Sequence, residues 1–341
     1  MTGAVVEPTR PTMHSAMPRT FIPSNNAVVM PAIEETIWAT GNARAVRVRC
    51  APDEVRFHDA VTAVHYAISF PRAAVWIHRA GDRPFVADPA IAIISHPGSS
   101  YTRTALHDDG ENFDRFELSQ PLARRIAAII DPRADSASIW IRAAYAPVDN
   151  EMYVRQRALF RRLESHMVYD ADAEEEVVAI VTDVLSHSIQ SHSADRQSAR
   201  AFATHCDIVE HAKSELNRSA TIRVALTDLS RTLGVSPFHL CRIFKSRTGQ
   251  TLHQYQLTVR LRMALERLGE ADIDLSRLAQ ELGFANHSHF TNAVRRRFGA
   301  TPSALRQLLR ARQVHRGPNA DWMSSAARSV HRLHEQAVES A

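Results

Sequence analysis

Cysteine is scarce: Cys50, Cys206 and Cys241 are the three in a chain of 341 residues. They are odd in number, far apart and in no Cys-x-x-Cys pair, which excludes a disulfide framework and a zinc ribbon. Long apolar runs are absent too. None approaches the roughly 18 residues that a membrane-spanning helix needs. The N-terminal stretch "AVVEPTRPTMHSAMPRT" has no signal-peptide core and is broken by prolines, so a loose tail is expected. Also missing is a His-x-His pair, although His58, His65, His78, His96 and His107 lie in the N-terminal half. With no glutamate placed to complete a site, neither a metal nor another cofactor is expected. Those histidines are instead read as structural, exposed or ligand-contacting. Together these absences point to a cytoplasmic protein.

What is present is a chain long enough for two domains, with an ordinary 45% of apolar residues. The net charge of +4 is unevenly spread. Ala201 to Arg310 holds 16 Lys plus Arg against 9 Asp plus Glu, or +7, which leaves about −3 for the rest. A basic C-terminal module on a slightly acidic remainder suits a polyanion partner for that module; a solvated basic surface is the plainer alternative.

Periodicity divides the chain. From about Ala45 to Ser119 the segments "ARAVRVRC", "EVRFH", "AVHYAISF", "RAAVWIH", "PFVAD", "AIAIISH" and "FDRFELS" are short, β-branched and aromatic, with turn residues between several of them. Many short strands at regular spacing predict an antiparallel sandwich or barrel. The period then becomes helical. "SQPLARRIAAIID" has Ser119 as its cap, and "NEMYVRQRALFRRLESHM" has Asn150 as a possible one. "DAEEEVVAIVTDVLSHSI" carries a narrow stripe of Val178, Val181, Leu185 and Ile189, which reads either as core or as a dimer seam. After a polar linker at 191–200 the remainder is predicted to be helical as far as Arg310, with a tail beyond that holds a short helix near Ser324 to Ala337.

An internal repeat carries the strongest signal. Leu229, Leu233 and Gly234 match Leu278, Leu282 and Gly283 at a spacing of 49. Past the glycine the spacing is 50: Leu240 matches Phe290, Phe244 matches Val294, and Gly249 matches Gly299. Each copy is a short helix with a Leu-x3-Leu stripe, a glycine exit, an apolar corner plug (Val235 or Phe284), a cap (Ser236 or Asn286) and a second helix with one apolar edge. Pro237 sits at the first helical position of the first copy. This is the grammar of a helix-turn-helix, whose second helix enters the DNA major groove. In "GFANHSHFTNAVRRRFG" the residues Phe290, Val294 and Phe298 are the expected inner edge.

The text "DLSRTLGVSPFHLCRIFKSRTGQTLHQYQLTVRLRMAL" followed by "LSRLAQELGFANHSHFTNAVRRRFGATPSALR" resembles the two-headed DNA-binding module of the AraC/XylS family of transcription regulators. Val294 stands where that family's pattern has Phe. The resemblance implies two units joined by one long helix, about Thr251 to Leu268, entering successive major grooves about 34 Å apart. It carries base-reading roles to Phe238, Cys241 and Arg242 in the first unit, and to Ser288, Thr291 and Asn292, with His287 beside them, in the second. Arg242 suits guanine, Asn292 adenine and Phe238 a thymine methyl, whereas Cys241 is a poor reader. Lys245, Arg295 and Arg296 suit phosphates.

By domain order the strand-rich part resembles a cupin-like β-barrel. The expected fold class is α+β. It comprises a disordered tail at 1–35, a cupin-like sensing domain at 36–147, a helical dimerisation and linker region at 148–190, a linker at 191–200, the DNA-binding domain at 201–311 and a tail at 312–341. Barrel mouths are common ligand sites, and Trp76, His78, His96, Tyr101 and Arg103 are the candidates for contacting a small-molecule effector. The function expected is sequence-specific, non-enzymatic transcription regulation. Its partners would be double-stranded DNA, the effector, a second copy of the chain and, for an activator, RNA polymerase. A ligand-independent regulator with an interaction-only barrel, or a cupin-type metal enzyme, is the alternative.

Overall fold

The computed structural model describes residues 33–108, 110–133, 136–141, 143–192, 199–269 and 273–310. The expected tail at 1–35 is outside these except for its last residues, and so are 312–341 with their expected helix. The strands are β1 (Ile33–Ala39), β2 (Ala43–Cys50), β3 (Val61–Thr62), β4 (Tyr66–Pro71), β5 (Val75–Arg79), β6 (Phe85–Ala87), β7 (Ile91–Ser95), β8 (Ser100–Ala105), β9 (Glu111–Leu118) and β10 (Tyr145–Pro147). They pair antiparallel into two open sheets, β1-β2-β9-β4-β7-β10 and β3-β8-β5-β6. The expected barrel or sandwich is therefore an open sandwich. Among the described residues no ladder joins the sheets, so each keeps two edges.

The period of two sorts the side chains into layers. On β9, Phe113 joins Val46, Val48, Val75 and Ile77 between the sheets. Its neighbours Phe116 and Leu118 face the other way, into a core shared with helices. Those helices are α1 (Gln120–Ile130), α2 (Ser136–Ile141), α3 (Asn150–Glu164) and α4 (Asp170–His192). Val181 and Leu185 of α4 are fully buried in that core, with Val178 and Ile189 packed against it. Of the two readings of this stripe the structure supports core: α4 packs it against the rest of its own chain.

Several local expectations change. "EVRFH" holds a single 3-10 turn at Val55–Phe57, because only Phe57 is drawn inward while Val55 is 80% exposed. The loop "HPGSSYTR" supplies β8, and β1 starts at Ile33. Asp149, not Asn150, caps α3, its carboxylate accepting from the Met152 amide at 2.8 Å. The expected linker is encroached on from both sides, since α4 runs to His192 and α5 (Ala199–Arg218) begins at Ala199. After α5 come α6 (Leu226–Thr232), α7 (Pro237–Thr248), α8 (Leu252–Leu268), α9 (Leu275–Glu281), α10 (His287–Phe298) and α11 (Pro302–Arg310).

The two halves of the chain share a buried polar junction. The Val86 amide on β6 donates to Glu210 of α5 at 2.6 Å, and Lys213 Nζ donates to the Val86 carbonyl at 3.0 Å. Asp88 accepts from Tyr255 of α8 and from Asn217 of α5, the latter at 3.1 Å. Arg262 of α8 is buried and donates to the carbonyls of Pro89 and Val148. Burial lowers its pKa to about 10, which leaves it charged at neutral pH. Glu266, one turn further, accepts from Arg72, from Arg157 at 2.7 Å and from the Tyr153 hydroxyl at 2.9 Å.

Arg157 also pairs with Asp114, which is wholly buried on β9 and faces Arg47 at 3.6 Å as well. Burial alone would raise the Asp114 pKa; Arg157, Arg72 and Arg47 outweigh it and hold the carboxyl below its ordinary value. A depressed acid stabilises the fold above its unfolded pKa, about 4, and that contribution fades as pH falls through the lower folded value. Asp114→Asn should therefore cost about 3 kcal/mol at pH 7, because it strands buried guanidinium groups. In urea unfolding the deficit should narrow between pH 4 and pH 2; an equal gap at pH 7 and pH 2 would contradict this assignment.

Candidate nucleic-acid interface

Each repeat folds as its grammar requires. Ser236 accepts from the His239 amide at 3.2 Å to start α7, and Asn286 accepts from the His289 amide at 2.8 Å to start α10. Leu240, Ile243 and Phe244 form the buried edge of α7; Phe290, Ala293 and Val294 form that of α10. Phe298 is only half-buried. Phe284 plugs its corner tightly, packing edge-on to Phe290 and under Arg260, whereas Val235 is half-buried.

The faces opposite these edges are open. Phe238 is 80% exposed, an unusual state for a large aromatic, and Cys241, Arg242 and Lys245 are exposed with it. Arg242 donates to Nδ1 of His239 at 3.4 Å, and the His239 ring meets His205 of α5 edge-on. No sequence signal singled out His239. On α10, His287, Ser288, Asn292, Arg295 and Arg296 are exposed. Thr291 differs: it is half-buried, and its hydroxyl is withdrawn from solvent without a hydrogen-bond partner among the described residues. The arginine run also splits. Arg297 turns inward and donates to Thr258 of α8 at 2.9 Å, which leaves Arg295 and Arg296 on the outside.

The turn glycines are alike in angle and unlike in surroundings. Gly234 has φ +66° with open space where a Cβ would stand. Gly283 has φ +72°, and a Cβ there would lie 1.9 Å from the Thr221 carbonyl oxygen. A left-handed alanine costs about 1–2 kcal/mol by itself. Gly234→Ala should show about that loss in chemical denaturation. Gly283→Ala should lose clearly more, since backbone has to move; the reverse order would refute the close approach.

The effector candidates do not converge. Trp76 and His78 alternate with inward Val75 and Ile77, so they point outward; Trp76 donates to Ser214 of α5 at 3.3 Å. His96 sits at the turn before β8, against the Pro97 carbonyl. Arg103 is buried but engaged by Glu111 at 3.1 Å and by the Arg56 carbonyl. Of the five, Tyr101 alone lines the cavity between the sheets, a space of about 150 Å³ that Arg44, Ser69, Arg115 and Glu117 also line. Sequence reasoning missed those four because their inward direction depends on strand register. Among the described residues no group of three or more His, Cys, Asp or Glu is placed to hold a metal ion.

Two capped reading helices with open polar faces, each backed by a short helix, define a tandem helix-turn-helix DNA-binding domain. A family model described as a helix-turn-helix domain matches residues 229–308. The probable transcription factor PqrA of Proteus vulgaris is 32% identical over 101 residues, which are 30% of this chain and 81% of PqrA. The HTH-type transcriptional regulator YtdP of Bacillus subtilis (strain 168) is 26% identical over 160 residues, 47% of this chain and 21% of YtdP. Among solved structures, ToxT from Vibrio cholerae O395 aligns with 78% of this chain and 98% of its own, at 13% identity and a TM-score of 0.32, too low to carry over anything from ToxT. The chain belongs to the AraC/XylS family of transcription regulators. It spans only about a fifth to a third of the length of the curated relatives it matches first. No helix of the described residues is long and apolar enough to cross a membrane.

Proposed function

We propose that this chain is a sequence-specific regulator of transcription acting in the cytoplasm, without enzymatic activity. Its N-terminal sandwich would hold the DNA module and respond to a small molecule. The observation that carries the DNA half is the pair of matched reading helices whose exposed residues are polar, basic or, at Phe238, aromatic. Arg242 reads guanine, Asn292 reads adenine and Phe238 packs on a thymine methyl. Cys241, His287 and Ser288 flank them. Thr291 contributes least, given where its hydroxyl sits. Lys245, Arg295 and Arg296 clamp phosphates and set register.

The regulatory half rests on α8. This helix joins the two reading units, and its Tyr255, Arg262 and Glu266 all engage the N-terminal half. An effector that favours one arrangement of that junction shifts DNA affinity by its difference in affinity for the two arrangements. The chain would act as a homodimer, because paired reading modules multiply weak site affinities. With the α4 stripe engaged internally, its interface would use other surfaces; Ile129 and Ile141 are exposed on neighbouring helices. Contact with RNA polymerase would follow if the chain activates.

Selection of bound sequences from a random DNA pool tests the assignment. Arg242→Ala should relax preference at one base pair per site, at a cost of about 1–3 kcal/mol on the best sequence. Arg295→Ala should weaken all sequences similarly and make the salt slope shallower by about one unit. An Arg242→Ala selection identical to that of the parent chain would remove the reader role.

A further inference from the structure

The space between the sheets has a mixed lining. Val61, Ile77, Ile93 and Phe113 supply its apolar part. Among them stand four charged side chains, Arg44, Arg115, Glu34 and Glu117; Ile93 shares a cross-strand row with Arg115, and Glu34 shares one with Phe113. Inward charges inside a sandwich are costly unless paired, and an apolar filling would stabilise it better. Here they are paired in alternation. Arg44 meets Glu117, Glu117 meets Arg115 at 3.5 Å, and Arg115 meets Glu34 at 3.3 Å. The side chains of Arg115 and Glu117 are only 12% and 10% exposed, whereas Glu34 at the rim is 65% exposed.

Arg115 bonds through Nε to Ser69 and through Nη1 to the two glutamates; its Nη2 has no hydrogen-bond partner among the described residues. A cationic donor that solvent can reach is thus left open beside a loosely held carboxylate. Of the four charges, Arg44 and Glu34 are 43% and 65% exposed, whereas Arg115 and Glu117 are nearly buried and cancel each other. A ligand of net charge would leave one charge uncompensated beside that nearly buried pair. A zwitterion extends the alternation: its carboxylate takes Arg115 Nη2, and its ammonium takes Glu34 or Glu117. Such charge-assisted bonds are roughly twice as strong as those an uncharged polyol forms. The volume, about 150 Å³, is that of a cavity able to hold a six-membered ring, and part of its lining is apolar.

The geometry points to a small aliphatic α-amino acid as the ligand of the inter-sheet cavity, its zwitterionic head on Arg115 and Glu34 or Glu117, and its side chain on Ile93 and Phe113. This inference rests on the sensor reading above. It is tested by calorimetric titration of the full chain with L-valine, isovalerate, isobutylamine and D-ribose. L-Valine should bind saturably, and the two analogues lacking one charged group should bind at least about tenfold weaker. Arg115→Met should lose binding by a similar factor with its circular dichroism unchanged. If that variant does not fold, Ile93→Phe, which fills part of the cavity, should abolish binding instead. Absence of saturable L-valine binding, equal binding of isovalerate, or preferential binding of D-ribose would overturn the inference. DNA binding of the same ligand-free preparation is measured alongside. Its failure while L-valine binds would sink the regulator reading, and its success without L-valine binding would sink only this one.

Discussion

Strand β6 ends its sheet, and the backbone groups of an edge strand need partners. At Val86 those partners are the Glu210 carboxylate and the Lys213 ammonium of α5, which stand in for a neighbouring strand. Two residues on, Asp88 is satisfied by Asn217 and Tyr255. Both helices belong to the DNA-binding half, so the N-terminal sandwich is completed by the module it would control. Pulling the halves apart would orphan a buried amide, a buried carboxylate and the Arg262 guanidinium at once. Unpaired buried groups of this kind are costly, which binds the two parts into one cooperative unit.

The same logic gives β9 its place. Adjacent residues of a strand face opposite ways. Arg115 lines the cavity between the sheets, while Asp114 faces the helices and meets Arg157. Arg157 in turn holds Glu266 of α8. A cavity wall and the helix that spaces the reading units are therefore linked through one strand and two ion pairs.

What was legible in the sequence was local. The caps Ser119, Ser236 and Asn286 accept the amide bonds their spacing implies. The tandem repeat was readable because a helix-turn-helix needs fixed residue types at short, fixed intervals. The cap of α3 was misplaced by one residue, to Asn150, because Asp and Asn serve equally at that position; Asn150 instead donates to the Arg297 carbonyl. "EVRFH" alternates like a strand, but too few of its side chains have anything to pack against. The effector candidates scattered because type and proximity in the chain say nothing about which face of a sheet a residue joins.

The sequence by itself determined the reading helices, their caps and turns, and the basic character of the module that bears them. It did so because these features depend on contacts a few residues apart. Only the tertiary structure decided that α4 is core, that Arg297 and Thr291 turn away from the reading surface, and that the sandwich stays open with charges facing inward. It also decided which residues clasp α8. Those outcomes depend on strand register and on partners more than a hundred residues distant, such as Val86 and Lys213. One strand slipped by a single residue would exchange the cavity wall for the clasp.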